Sequence, residues 1–203
     1  MQKIVISTGN LDKLKELRDL VDPARFTLFG KKDLGLADLE VEETGTTLAE
    51  NAILKVEALA QALAESGQKA DDYWILADDT GLFVEALNGA PGVYSARYAG
   101  PNATYQDNVE KLLAAMEGVA PDRRGGYFAT VIAFWQSGSL HTYEGRLQGH
   151  ILQAPRGEGG FGYDPIFFAD ERGKSLAELT RSEKNMISHR ARAYRAFLEA
   201  LHA

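Results

Sequence analysis

Two long strand-like runs, Gly126 to Gln136 and Leu140 to Leu152, stand on either side of Ser137-Gly138-Ser139. A connection that short joins neighbouring antiparallel strands. Elsewhere, short apolar runs alternate with segments of helical apolar spacing, the pattern that gives parallel strands crossing through helices. A chain with both features must build a mixed sheet. The fold class expected is therefore α/β, with helices flanking a long mixed central sheet. Glycine-rich stretches near residues 89–100 and 157–163 are where two lobes could meet and form a cleft.

The remaining elements follow from local chemistry. Lys3 to Ser7 is β-branched and short, a first strand. Thr8-Gly9-Asn10 breaks it, and Leu14, Leu17, Leu20 and Val21 then mark a helix beginning at Leu11. Phe26 to Phe29 is a second strand. Thr47-Leu48-Ala49-Glu50 has the form of a capping box. It opens a long helix striped by Leu48, Ala52, Leu59 and Leu63 and ended by Gly67. Tyr73 to Ala77 is expected as a strand stopping before Asp78. Thr104 caps a helix reaching about Glu117, with Leu112, Leu113 and Met116 inward, and the chain closes with a helix rich in Ala and Arg.

Composition excludes several functions. The chain has 203 residues, enough for one sizeable core or one domain in two lobes. It has no cysteine, which removes disulfides, thiolate nucleophiles and thiolate zinc sites. Net charge is 22 − 29 = −7, which argues against broad nucleic-acid binding. No apolar stretch reaches membrane-spanning length, and the N-terminus lacks the apolar core and cleavage site of a signal peptide. A cytoplasmic protein without nucleic-acid or membrane partners is the expectation.

Five segments could carry chemistry. Ser7-Thr8-Gly9-Asn10-Leu11-Asp12-Lys13 places a small turn before a helix N-terminus, where N–H groups, the helix dipole and a lysine suit a phosphate. It lacks the spacing of a Walker A loop, and an ordinary N-cap by Asn10 would also account for it. Glu42-Glu43-Thr44-Gly45 offers hard oxygen ligands suited to Mg²⁺, or simply acidic residues favouring a helix start. Asp78-Asp79-Thr80-Gly81 ends an apolar run. On a strand the two carboxylates face opposite ways and serve different partners, although an Asx-turn would use the same residues. Gly157 to Pro165 sets Phe161 among glycines, where a ring can stack on a planar base and Asp164 can accept from a ring N–H.

The fifth segment, Glu183 to Arg190, contains Lys184 and His189. In one unbroken helix these two lie about 140° apart, too far to reach one ligand. Ser188 is a good N-cap, so a break there would put His189 and Arg190 at the front of the last helix as outward donors.

In order and spacing these segments resemble the Ham1/inosine triphosphate pyrophosphatase family. The motifs are Thr8-Gly9-Asn10-x-x-Lys13, Glu42-Glu43-Thr44-Gly45, Glu50-Asn51-Ala52, Ala77-Asp78-Asp79-Thr80-Gly81-Leu82, Gly89 through Tyr98, Gly160 through Pro165, and Ser188-His189-Arg190. The resemblance spans essentially the whole chain and implies a single two-lobed domain over 1–203. It implies hydrolysis of non-canonical purine nucleoside triphosphates (ITP, dITP, XTP, dXTP) to the monophosphate and pyrophosphate, with Mg²⁺ and as a homodimer. By family match Thr8, Gly9, Asn10, Leu11, Asp12, Lys13 and Lys184 hold the phosphates. Glu43 and Asp79 serve the metal, and Asp79 is also the base that activates water. Phe161, Gly162, Tyr163 and Asp164, with His189 and Arg190, enclose the purine. Thr80 stands where many relatives carry serine and keeps the hydroxyl. Arg97 has no assigned role; fold support or a dimer contact is the first guess. Competing readings are a pyrophosphatase for other altered nucleotides, such as modified pyrimidines, a silent nucleotide sensor, and a dimeric scaffold.

Overall fold

The computed structural model describes residues 1–201. Of the domain expected over 1–203, His202 and Ala203 lie outside the described residues. The strands are β1 (Gln2–Ile6), β2 (Phe26–Gly30), β3 (Trp74–Val84), β4 (Pro91–Gly92), β5 (Gly125–Gln136), β6 (Ser139–Ile151), β7 (Phe167–Ala169) and β8 (Lys174–Ser175). The helices are α1 (Leu11–Leu20), α2 (Leu48–Glu65), α3 (Tyr105–Ala115), α4 (Arg181–Ile187) and α5 (His189–Ala200). The strand order is β2-β1-β3-β5-β6-β7-β8, with β4 on β3. β1 runs parallel to β2 and β3, whereas β3–β4, β6–β7 and β7–β8 are antiparallel. The expected mixed sheet is present.

The chain divides into two compact units. The first comprises 1–79, 131–144 and 193–203, and the second 80–130 and 145–192. The first unit's core gathers Ile4, Ile6, Leu17, Phe26, Leu76, Ile132, Phe134, Tyr194 and Phe197. Ile4, Val5 and Ile6 are all buried, as a central strand flanked on both edges and covered on both faces requires. Trp74 and Phe134 meet edge-on, with ring centroids 5.4 Å apart.

The second unit's core gathers Leu82, Val84, Val109, Leu112, Met116, Phe128, Leu147, Ile151 and Phe167. Its part of β6 alternates: Leu147, Gly149 and Ile151 are buried while Arg146 and Gln148 face solvent. Such alternation marks a strand with one covered face. Gly149 has no room for a side chain, because a Cβ there would stand 2.1 Å from the Phe168 carbonyl oxygen on the neighbouring strand.

Caps set the helix boundaries. Thr47 and Glu50 form the expected capping box of α2, and Leu48, Ala52, Val56, Leu59 and Leu63 bury its apolar stripe. Each such leucine contributes about 1.5–3 kcal/mol by leaving water. Gly67, at φ +77°, follows the helix end. Thr104 caps α3 with Asp107, and the helix ends at Ala115, slightly short of the expected Glu117. The hairpin turns at Ser137 and Gly138, both at positive φ, which suits the twist of a two-residue connection.

One boundary differs from expectation. The strand expected to stop at Ala77 continues to Val84, so Asp78 and Asp79 lie inside β3 rather than at its mouth. Two features override the Asp-Gly turn signal. Leu82 and Phe83 pair with Gly92 and Pro91 of β4, and Leu82 N–H donates to Ser95 Oγ at 2.8 Å. Gly81 allows this close approach, since a Cβ there would lie 2.6 Å from the Gly92 carbonyl oxygen.

Candidate active site

In the first unit the two strand carboxylates take separate lysines. Asp78, 2 % exposed, meets Lys13 Nζ at 3.1 Å through Oδ2. Asp79 Oδ1 meets Lys55 Nζ at 2.8 Å, and the same ammonium reaches Glu43 Oε1 at 2.7 Å. Lys55 also donates to the Asp78 carbonyl oxygen at 3.3 Å. The division of labour expected from strand alternation is therefore realised. Burial pushes the Asp79 carboxyl above its usual range, with Lys55 and Lys13 drawing it back only in part. Burial alone would lower Lys55, but Asp79 and Glu43 more than offset it and hold the ammonium above the ordinary lysine value. Two carboxylates thus share one ammonium.

Helix α2 supplies the scaffold. Asn51 and Lys55, one turn apart, project from the same face. The Asn51 amide donates to Asp79 Oδ2 at 3.4 Å, and its carbonyl accepts from Gly45 N–H at 2.8 Å. One side chain therefore ties the Glu43–Gly45 loop to the strand carboxylate. Sequence reasoning quoted Asn51 only within a motif and assigned Lys55 no role. The signal was there: Lys55 falls on the stripe of Leu48, Ala52 and Leu59, where a solvated lysine has no place.

Asn10 caps α1, its Oδ1 accepting from Asp12 N–H at 2.9 Å and Lys13 N–H at 3.2 Å. Asn10 N–H donates to Thr8 Oγ1 at 3.2 Å. The turn thus has the N-cap form, with Gly9 bare of neighbours at its Cβ position and Leu11 60 % exposed.

In the second unit α4 and α5 break at Ser188, as the sequence suggested. Ser188 Oγ accepts from Ala191 N–H at 3.2 Å. His189 is buried and stacks on Phe128, centroids 4.6 Å apart and planes 14° from parallel. Arg190 is 2 % exposed and donates to Thr80 Oγ1 at 3.3 Å. Thr80 and Thr130 hydroxyls are 2.8 Å apart. Both residues at the front of α5 are thus buried within the unit.

The Phe161 loop is held by a buried ion pair. Lys184 Nζ lies 2.6 Å from Asp164 Oδ2, and the same oxygen accepts Phe161 N–H at 2.9 Å. Lys184 also stands 4.6 Å from the centre of the Phe161 ring, a cation–π contact. Lys184, expected among phosphate ligands, is thereby joined to the residues expected to enclose a base. Tyr163 serves the core: it is 5 % exposed and its hydroxyl donates to the Ser95 carbonyl at 2.8 Å. Burial pushes its phenol well above the usual value. Gly162 adopts φ +63° with nothing near its Cβ position. Arg97 stacks over Tyr94 at 5.2 Å, a local contact.

The arrangement can take a small cation. Among the described residues no trio of carboxylate or imidazole side chains forms a ready-made metal cage, but Glu43 and Asp79 already converge on one positive charge. Mg²⁺ is held typically by one or two carboxylates plus phosphate and water. The donor set fits it.

Comparison with known proteins agrees with the geometry. The model of the Ham1 family matches residues 4–200. A relative from Thermoanaerobacter sp. (strain X514), named dITP/XTP pyrophosphatase, is 50 % identical over 94 % of this chain and 92 % of its own. The Ham1 protein of Staphylococcus aureus superposes with a TM-score of 0.83 at 39 % identity, covering 98 % of this chain and 99 % of the other. A HAM1 protein from Coxiella burnetii gives 0.85 at 37 % identity, covering 100 % and 99 %.

Proposed function

The chain belongs to the Ham1 family, and from that premise we propose that it hydrolyses non-canonical purine nucleoside triphosphates, ITP and XTP with their deoxy forms, to monophosphate and pyrophosphate. The observation that carries this reading is the pair of buried carboxylates on β3, each matched by its own lysine. Buried charges of this kind are costly to keep for structure alone, and carboxylates suit a triphosphate site when they hold the cation that binds the phosphates. The name of the Thermoanaerobacter relative supports the substrate class. Family membership supports extending the reading to Mg²⁺ dependence, a homodimer and a cytoplasmic location.

Hydrolysis of a triphosphate needs charge neutralisation and a positioned water more than a covalent nucleophile. Glu43 and Asp79 would hold Mg²⁺, which when bound neutralises phosphate charge and lowers the pKa of water. Thr8 through Lys13 offer a helix N-terminus and one ammonium to the phosphates. The Asp79 carboxylate takes the proton of the attacking water, the role the resemblance implies for it. Thr80, Phe161 through Asp164, Lys184, His189 and Arg190 supply the base side. There a buried guanidinium and an imidazole match the 6-oxo acceptor of hypoxanthine and xanthine, whereas adenine presents a donor. The resemblance gives Lys184 to the phosphates, and its contacts with Asp164 and the Phe161 ring support reading it with the base side instead.

Pyrophosphate release with Mg²⁺ across ITP, XTP, GTP, ATP and UTP tests the proposal. ITP and XTP are expected first, GTP behind them, and ATP far behind. Binding without release would instead indicate a sensor, and preference for pyrimidines another house-cleaning role.

A further inference from the structure

The mechanism above gives Lys55 of α2 no task. Its ammonium contacts both carboxylates that would hold the cation, at 2.7 and 2.8 Å, and its side chain is only 13 % exposed. We propose that Lys55 is an internal counter-cation: in the substrate-free protein it bridges Glu43 and Asp79, and a divalent ion binds this pair only by displacing it. The inference rests on the metal reading above and deepens it.

The physical case starts from the carboxylates. Asp79 is 6 % exposed and sits within an eleven-residue strand, one residue from the equally buried Asp78. Without a nearby positive charge, Glu43 and Asp79 would repel each other and the loop before α2 would lose its hold on the strand. Lys55 supplies that charge from α2, and Asn51, one turn earlier, fixes the same loop through Gly45 N–H and Asp79. Gly45 leaves no slack, since a Cβ there would lie 2.6 Å from Asn51 Oδ1. Asn51 and Lys55 thus both tie the loop that carries Glu43 to the strand that carries Asp79.

A lysine suits a placeholder better than an arginine would. Its charge is compact and its stem has four rotatable carbons, so the head can swing away while the helix stays in place. A divalent ion arriving alone must expel this ammonium without giving it a new partner. One arriving with a polyphosphate brings the anion that the released ammonium can join. The substrate-free protein should therefore bind Mg²⁺ weakly and take the ion together with its nucleotide.

Calorimetric titration with Mg²⁺ alone, without nucleotide, tests this on the wild-type protein, Lys55→Gln and Glu43→Gln. Lys55→Gln should bind Mg²⁺ at least about tenfold tighter than wild type, because a unit charge a few Å away is worth that much even at a high effective dielectric. Glu43→Gln should bind more weakly than wild type. If Glu43→Gln is unchanged, the metal reading fails and this proposal with it. If Glu43→Gln weakens binding but Lys55→Gln does not tighten it, the proposal alone is overturned. Should Lys55→Gln fail to fold, amine acylation of the wild-type protein decides. Saturating Mg²⁺ should raise labelling of Lys55 several-fold while the exposed Lys174 stays constant; unchanged Lys55 labelling overturns the proposal.

Discussion

Buried charge is arranged differently in the two units. In the first, the buried groups are acids on a strand, and lysines from α1 and α2 reach in to match them. In the second, the buried groups read with the base are cations: Arg190 donates to Thr80 beside Thr130, and Lys184 is matched by Asp164 and an aromatic face. A carboxylate balanced by a flexible lysine can trade that partner for a metal ion or a phosphate. A buried, planar guanidinium such as that of Arg190 presents its donors in a fixed fork. The first arrangement suits chemistry on the part all substrates share, and the second suits discrimination between bases.

The comparison breaks first at Asp79. Asp79→Asn keeps size but removes the proton acceptor and one metal ligand, and should lower kcat by about 10²–10⁴ or more. Lys55 keeps Glu43, so the melting temperature should move little. Near-full turnover at saturating Mg²⁺ would leave Asp79 a structural residue.

The lysines come next. Lys13→Ala removes a charge-assisted contact worth roughly 1.5–3 kcal/mol, and kcat/KM for ITP and ATP should fall by a similar factor. Lys184→Ala frees Asp164 and the Phe161 loop, so its loss should be larger for ITP than for ATP. Equal losses from Lys184→Ala would return Lys184 to the phosphate side.

Legibility differed between the units for physical reasons. The capping boxes of α2 and α3, the Ser137-Gly138 hairpin and the break at Ser188 depend on neighbours within a few residues, so the sequence displays them. The carboxylate pair was visible by its cost beside an apolar run. The passage of β3 through Asp79 was not, because it depends on pairing with β4 and on the Ser95 hydroxyl, both well downstream. Lys55 was missed because its partners lie twelve and twenty-four residues away; only its place on an apolar stripe hinted at them. The Lys184–Asp164 pair likewise joins segments twenty residues apart, which spacing within one helix could not reveal.

The division between the units is tested most directly by the ratio of kcat/KM for ITP to that for ATP. It should be measured in the wild-type protein, Lys13→Ala and Arg190→Lys. Sites built on hydrogen bonds to one substrate group can discriminate by about 10⁴ or more. The wild type should therefore prefer ITP strongly, and Lys13→Ala should keep that ratio while losing rate. Arg190→Lys retains the charge but loses the planar donors, and should compress the ratio by at least about tenfold. A ratio that survives Arg190→Lys but collapses in Lys13→Ala would contradict the account.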